Sequence, residues 1–176
     1  MEKGNTIWLT GLSGAGKTTI AKKLKERYLP YSIIIDGDEL RVGLNSDLGF
    51  SEKDRTNNIS RAAYVCQLLN NQGFDVIATL TSPLDFQRQL AKDIIGGDCF
   101  FLCYVSCSIS CVIQRDTKGL YDRFSKGEIK NMVGLDMPYD VPLDSNLVVN
   151  TEFFSVDESV ETIYKSFCNH FLSKLA

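Results

Sequence analysis

The sequence predicts an α/β fold of three layers, a mostly parallel five-stranded sheet with helices on both faces. Two observations predict it. Short apolar runs alternate with longer amphipathic stretches along the chain, the pattern of strands joined by crossover helices. At the first junction stands a glycine-rich turn, GLSGAGKTT at 11–19, with an apolar run before it and a helical pattern after it. In that context backbone N–H groups and a helix N-terminus converge on phosphate, which makes the layout that of a P-loop nucleoside triphosphate-binding fold.

Taken in order, the strand candidates are 6–9, 32–35, 75–80, 100–105 and 147–149, each short and rich in Ile, Val, Leu or Phe. Helix candidates follow each strand. They span 17–28, then 54–71 with a stripe at Ile59, Ala62, Ala63, Cys66 and Leu69, then 84–95, 109–115 and 156–175. Gly73 is placed to close the second helix. Between 116 and 146 charged residues, Gly119, Gly127, Gly134, Pro138 and Pro142 break any period. A stretch this long without regular elements reads as a lid, which would exclude water from a phosphoryl transfer. The 176 residues are expected to form one domain, 1–176.

Composition narrows the function classes. With 44% hydrophobic and 23% charged residues and no apolar run near the ~20 residues of a membrane span, no membrane partner is expected. A net charge of −3 without a basic block argues against nucleic acid, so any anion site is local. The first residues lack the apolar core and cleavage site of an export signal, so the expected location is the cytoplasm and the six cysteines are expected to be free thiols. Cys99, Cys103, Cys107 and Cys111 recur every fourth position, but without a C-x-x-C pair and with His170 alone they read as small core residues rather than metal ligands.

Four groups carry chemistry. In the glycine loop Gly11, Gly14 and Gly16 let the backbone curl, Ser13, Ala15 and Thr19 belong to the same cradle, Lys17 is spaced to reach the β- and γ-phosphates, and Thr18 to ligate magnesium. DGDELR follows the second strand, where open α/β sheets place ligands. Of its two aspartates, one could hold magnesium through water and the other accept a proton from an attacking hydroxyl; read alone, the segment is equally a turn with an N-cap aspartate. Arg41, Arg55 and Arg61 with Asn58 suit a second anionic substrate, although singly each reads as a surface charge on a helix; Arg115, Lys118 and Arg123 could close cations over the transferred group or form a solvated basic loop.

The chain resembles the adenylylsulfate kinases almost end to end. The resemblance rests on TIWLTGLSGAGKTT, DGDELRVGLNSDLGFSEKDRTNNISR, TSP at 81–83, RDTKGLY and GEIKNMVGLDMPYD. It implies a magnesium-dependent homodimeric enzyme that uses ATP to phosphorylate the 3′-hydroxyl of adenosine 5′-phosphosulfate in sulfate assimilation. It further implies Asp38 as base, with Lys17 and Lys118 beside the transferred phosphate, and Asp36 with Thr18 on the magnesium side. Arg41, Arg55 and Asn58 match positions that hold the phosphosulfate end, Phe50 an aromatic that stacks on adenine, and Thr81, Ser82 and Met132 the nucleoside pocket. Arg115 and Thr151 match positions near the ATP base. The pattern departs at NNISR for ENIRR, which puts Ser60 in place of a cation; at TSP for ISP; and at MVGLD for FTGID, which puts Met132 where a second aromatic usually stands. A related branch, which phosphorylates cytidine diphosphoramidate in bacterial capsule synthesis, is the alternative. An ATP-binding module without catalysis is a third, and Lys17, Asp38 and Lys118 all argue against it.

Overall fold

In a computed structural model, which describes residues 3–172, the strands are β1 (Thr6–Thr10), β2 (Ile33–Asp36), β3 (Val76–Thr79), β4 (Phe100–Ser106) and β5 (Leu147–Asn150). They hydrogen-bond in the order β2-β3-β1-β4-β5, and every pairing between them is parallel. The helices are α1 (Lys17–Arg27), α2 (Gly37–Val42), α3 (Glu52–Asn71), α4 (Asp85–Ile95), α5 (Ile109–Arg115), α6 (Leu120–Ser125) and α7 (Val156–Leu172), with a 3₁₀ turn at Gly97–Cys99. No helix among the described residues is long and apolar enough to cross a membrane.

Strand side chains alternate between two apolar layers because successive Cβ atoms leave opposite faces of the sheet. Ile7, Leu9, Ile77, Phe101 and Cys103 pack with Ile20, Ala21 and Leu24 of α1 and Val160, Ile163 and Phe167 of α7. Trp8, Val76, Ala78, Phe100 and Leu102 pack with Ile59, Ala62, Ala63 and Cys66 of α3 and Ala91 and Ile95 of α4. Both faces are therefore covered, which is why these strands read as continuous apolar runs. Each fully buried side chain of this size contributes about 1.5–3 kcal/mol to the fold.

Register matters for the site. Asp36 lies beside Thr79, and Thr79 beside Leu9, so the carboxyl ends of β2, β3 and β1 finish level with one another.

Local chemistry moves several predicted boundaries. The Ser32 hydroxyl donates to the Leu29 carbonyl at 2.8 Å and closes a turn, so β2 begins at Ile33 and runs on to Asp36. Asp75 accepts the Asn5 N–H at 2.8 Å and lies outside β3. Ser51 caps α3 by accepting from Asp54 N at 3.1 Å, so the helix starts at Glu52, two residues before the predicted start. Gly73, at φ 84°, follows the end of α3 as expected. Two short helices escape the sequence pattern altogether, since six residues hold less than two turns of periodicity. One is α2, capped by Asp36. The other is α6, inside the 116–146 stretch, where the Asp116 carboxylate accepts from Tyr121 N at 3.1 Å and Asp122 N at 3.0 Å. That stretch also bends back through a bridge between Val133 and Met137. The end of the predicted last helix, 173–175, lies outside the described residues.

Candidate active site

The loop after β1 is shaped by close approach and by positive φ. A Cβ on Gly11 would lie 2.4 Å from the Val105 carbonyl oxygen, so only glycine lets the loop rest on β4. Gly16 adopts φ 101° as the N-cap of α1, and no side chain caps that helix. The N-terminal N–H groups of α1 thus face the loop, with the positive end of the helix dipole behind them. Lys17 folds back to donate to the carbonyls of Gly11 and Leu12, each at 2.8 Å. Burial under the loop, and next the Lys118 ammonium, pull its pKa down to about 8. A charge so crowded by cations and carbonyl groups is suited to an incoming polyanion.

Asp36 serves as helix cap and site residue at once. Its Oδ1 accepts from Asp38 N at 2.8 Å and Glu39 N at 3.4 Å, while Oδ2 accepts from the hydroxyls of Thr18 at 2.8 Å and Thr79 at 2.7 Å. Burial pushes its carboxyl upward, but these four donors outweigh burial and leave it below the ordinary aspartate value. Next to it Asp38 points into the cleft, where the Lys118 ammonium contacts its Oδ2. Lys118 comes from the turn between α5 and α6, eighty residues along the chain.

The cleft beyond holds roughly 390 Å³. Ser13, Gly14, Gly16, Lys17, Thr18 and Thr19 line one end, and Arg41, Phe50, Arg55, Asn58, Thr81, Ser82 and Met132 the other. Phe50 is 53% exposed, with the guanidinium groups of Arg41 and Arg55 at 4.6 and 5.5 Å from its ring. Arg41 is fixed by the carbonyls of Leu48 at 3.2 Å and Gly49 at 2.5 Å; Arg55 by those of Phe50 at 3.1 Å and Asn131 at 2.7 Å. Burial, and then the nearby Arg41, pull Arg55 down to about 10, and burial lowers Arg41 as well. Two cations held this close form a ready anion site. Asn58 is buried and accepts from Asn45 Nδ2 at 2.7 Å. Met132 is buried in the α1 and α7 layer while its edge reaches the cleft.

Other expected residues lie elsewhere. Arg61 turns away into a two-toothed ion pair with Asp47, at 2.6 and 2.8 Å, and does not line the cleft. Arg115 and Thr151 sit behind the loop: Arg115 donates to Thr151 Oγ1 at 3.0 Å and to its carbonyl at 2.6 Å, and the Thr151 hydroxyl donates to the Ala15 carbonyl at 2.9 Å. Gly11, packed on Val105, and Ala15, whose carbonyl accepts from Thr151, shape the loop without lining the cleft. The Ser82 hydroxyl is engaged in the core, accepting the Trp8 indole N–H at 3.0 Å and donating to the Leu80 carbonyl at 3.3 Å. The cysteines are free thiols. Cys66 and Cys103 are core residues, with burial pushing Cys66 up to about 12, whereas Cys107 and Cys111 approach Glu152 with their ligand atoms within 4.8 Å of one another.

Three contributors carry no sequence signal of the usual kind. Thr79 is a lone hydroxyl at the end of an apolar strand. Tyr121 anchors α6 by donating to the Ser13 carbonyl at 2.9 Å. Arg88 looks like a solvated helix charge but is only 3% exposed.

The parallel sheet with its glycine loop, the loop lysine and the threonine–aspartate pair define a P-loop phosphotransferase fold. Residues 3–150 match the family described as Adenylylsulphate kinase. An adenylyl-sulfate kinase of Paraburkholderia xenovorans is 43% identical over 164 residues, covering 92% of this chain and 91% of that protein. One of Clostridium acetobutylicum is 40% identical over 174 residues, covering 96% and 86%. Among solved structures, the Mycobacterium tuberculosis APS kinase CysC in complex with AMPPNP and APS superposes with a TM-score of 0.90 at 35% identity, covering 95% of this chain and 99% of that one. The chain belongs to the adenylylsulfate kinase family.

Proposed function

We propose that this chain transfers the γ-phosphoryl group of ATP to the 3′-hydroxyl of adenosine 5′-phosphosulfate, giving 3′-phosphoadenosine 5′-phosphosulfate. The observation that carries this reading is the Asp38–Lys118 contact, which lies between the loop of α1 and the Arg41–Phe50–Arg55 wall. The loop takes the triphosphate, and Lys17 exchanges its two carbonyl partners for phosphate oxygens. The wall takes the acceptor, with Phe50 stacking on the base and Arg41, Arg55 and Asn58 holding the anionic end. Asp38 accepts the proton of the attacking hydroxyl, and Lys118 moves onto the transferred group. Arg115 and Thr151 border the ATP base.

Magnesium fits this donor set. Thr18 and Asp36 supply oxygen ligands, and the depressed Asp36 carboxyl is ionised at neutral pH, as a hard cation requires. With its other partners in place Asp36 would act through water. The ion would neutralise charge on the phosphates. Segment 116–146 serves as the lid of a single domain, 1–176. The resemblance also supports a homodimer working in cytoplasmic sulfate assimilation.

The placement of Met132 favours a second reading. Buried in the core where the resemblance implies an aromatic, it offers a softer contact to a base, so cytidine diphosphoramidate is the competing acceptor. A coupled ADP-release assay with the two nucleotides offered separately decides. Turnover with adenosine 5′-phosphosulfate is expected; ATP binding without turnover on either acceptor would overturn the kinase reading.

A further inference from the structure

The turn at 81–83 forms part of the acceptor wall, and its conformation is strained. Ser82 holds φ at 36°, a left-handed value that a non-glycine residue keeps only when its surroundings impose it. A buried network imposes it here. Arg88, on the first turns of α4, donates Nη1 to the Ser82 carbonyl at 2.8 Å and Nη2 to the Asp140 carbonyl at 2.7 Å, and its charge is met by Asp85. Asp140 N donates in turn to the Pro83 carbonyl at 2.8 Å.

A second arm runs through Tyr139, whose ring lies 5.8 Å from the Arg88 guanidinium. The Thr10 hydroxyl donates to the Thr81 carbonyl at 2.7 Å and lies 3.0 Å from the Tyr139 hydroxyl. Thr10 has one proton to give, so Tyr139 is the donor between them. Burial pushes the Tyr139 phenol well above its ordinary value, so it stays protonated for this task. The strained turn and the returning leg of the 116–146 segment thus meet on one guanidinium, and the end of β1 joins them through Tyr139.

We infer that Arg88 is a positioning residue for the acceptor: it sets the backbone of 81–83 and fastens the end of the lid to it, with Tyr139 as its second fastening. The inference rests on the reading of that wall as the acceptor side. The donor loop is shaped by its own glycines and by β4, and Arg88 makes none of the hydrogen bonds or ion pairs there. Loosening Arg88 should therefore act on one substrate only. A residue that merely stabilised the fold would not separate the two.

The test compares Arg88→Lys, which keeps the charge but loses the planar fork, with Tyr139→Phe, which removes one hydroxyl and leaves the packing. Arg88→Lys is expected to raise KM for adenosine 5′-phosphosulfate about tenfold, and Tyr139→Phe about threefold, as loss of a charged and a neutral hydrogen bond implies. KM for ATP should stay within about twofold in both. Parallel shifts for both substrates, or an unchanged acceptor KM in both variants, would overturn the inference. Amide exchange decides independently of turnover: the Asp140 N–H, bonded to the Pro83 carbonyl, should exchange faster in both variants, and unchanged exchange there would overturn it too. Should the wild-type enzyme not use this nucleotide, the substrate reading falls while the exchange comparison still decides the role of Arg88.

Discussion

The two ends of the cleft are made in opposite ways. The donor end is almost all backbone: one continuous loop whose N–H groups and helix terminus face the ligand, held by Gly11 against β4 and by positive φ at Gly14 and Gly16. The acceptor end is made of side chains from α2, the loop before α3, α3 itself, the turn after β3 and the 116–146 segment. Its parts are held by single contacts such as Arg55 to Asn131, across 76 positions of sequence. A backbone cradle recognises what every nucleoside triphosphate shares. A side-chain wall can be altered one residue at a time, and it holds Thr81 and Met132, two of the three departures noted in the sequence.

The sharpest way to break this comparison is at the junction of the two ends. Asp38→Asn is expected to lower kcat on the order of 10³-fold while leaving ATP affinity within about twofold, since it removes the proton acceptor and not the cradle. Steady-state rates and a direct ATP-binding titration check both halves of that statement; full activity would remove Asp38 from the chemistry. A smaller effect is expected from Arg55→Lys, which keeps a cation but not the fork that bonds two carbonyls. KM for the acceptor should rise about tenfold with ATP affinity unmoved, and a matching loss of ATP affinity would mean the two ends are not separate.

The mildest test uses pH. Lys17 has a folded pKa of about 8 against an ordinary value of 10.5. In the empty cleft its charge therefore opposes folding below about pH 8, and this opposition is relieved as pH rises from 8 toward 10.5, where the unfolded chain binds the extra proton. For ATP the sign reverses. A charged Lys17 is present below pH 8, whereas above it the nucleotide must draw in a proton, so ATP affinity should weaken several-fold as pH rises from about 7.5 to about 9. Calorimetry in buffers of different ionisation enthalpy should detect that uptake. Arg55, at about 10, stays charged through the same window, so acceptor affinity should be flat there. A flat ATP profile would show that Lys17 does not titrate in this range.

The same contrast explains what could be read from the chain alone. The loop is contiguous, so Gly11 to Thr18 appear in the sequence in the order in which they act, and strand and helix patterns placed all five strands within two residues of their ends. Strand order is not written in any local pattern. Without it nothing brings Lys118 to Asp38, or the hydroxyl of Thr79 to Asp36. Arg88 is hidden for a related reason: on an amphipathic helix a cation reads as solvated, and only the turn and the return leg packed over it make it a buried fork. Arg61 shows the reverse error, a cation grouped with the site by its spacing that a neighbouring Asp47 claims instead.

The level finish of β2, β3 and β1 makes the sheet a ruler for the site. Asp36 meets Thr18 because Ile33 starts opposite Val76 and Thr6 does the same from the other side. Sliding β2 by a single residue would turn Asp36 toward the opposite face and carry it about 3.3 Å along the strand. The spacing between a carboxylate and a hydroxyl from different parts of the chain is thus measured out by ladder hydrogen bonds several residues away, in a part of the protein that touches no substrate.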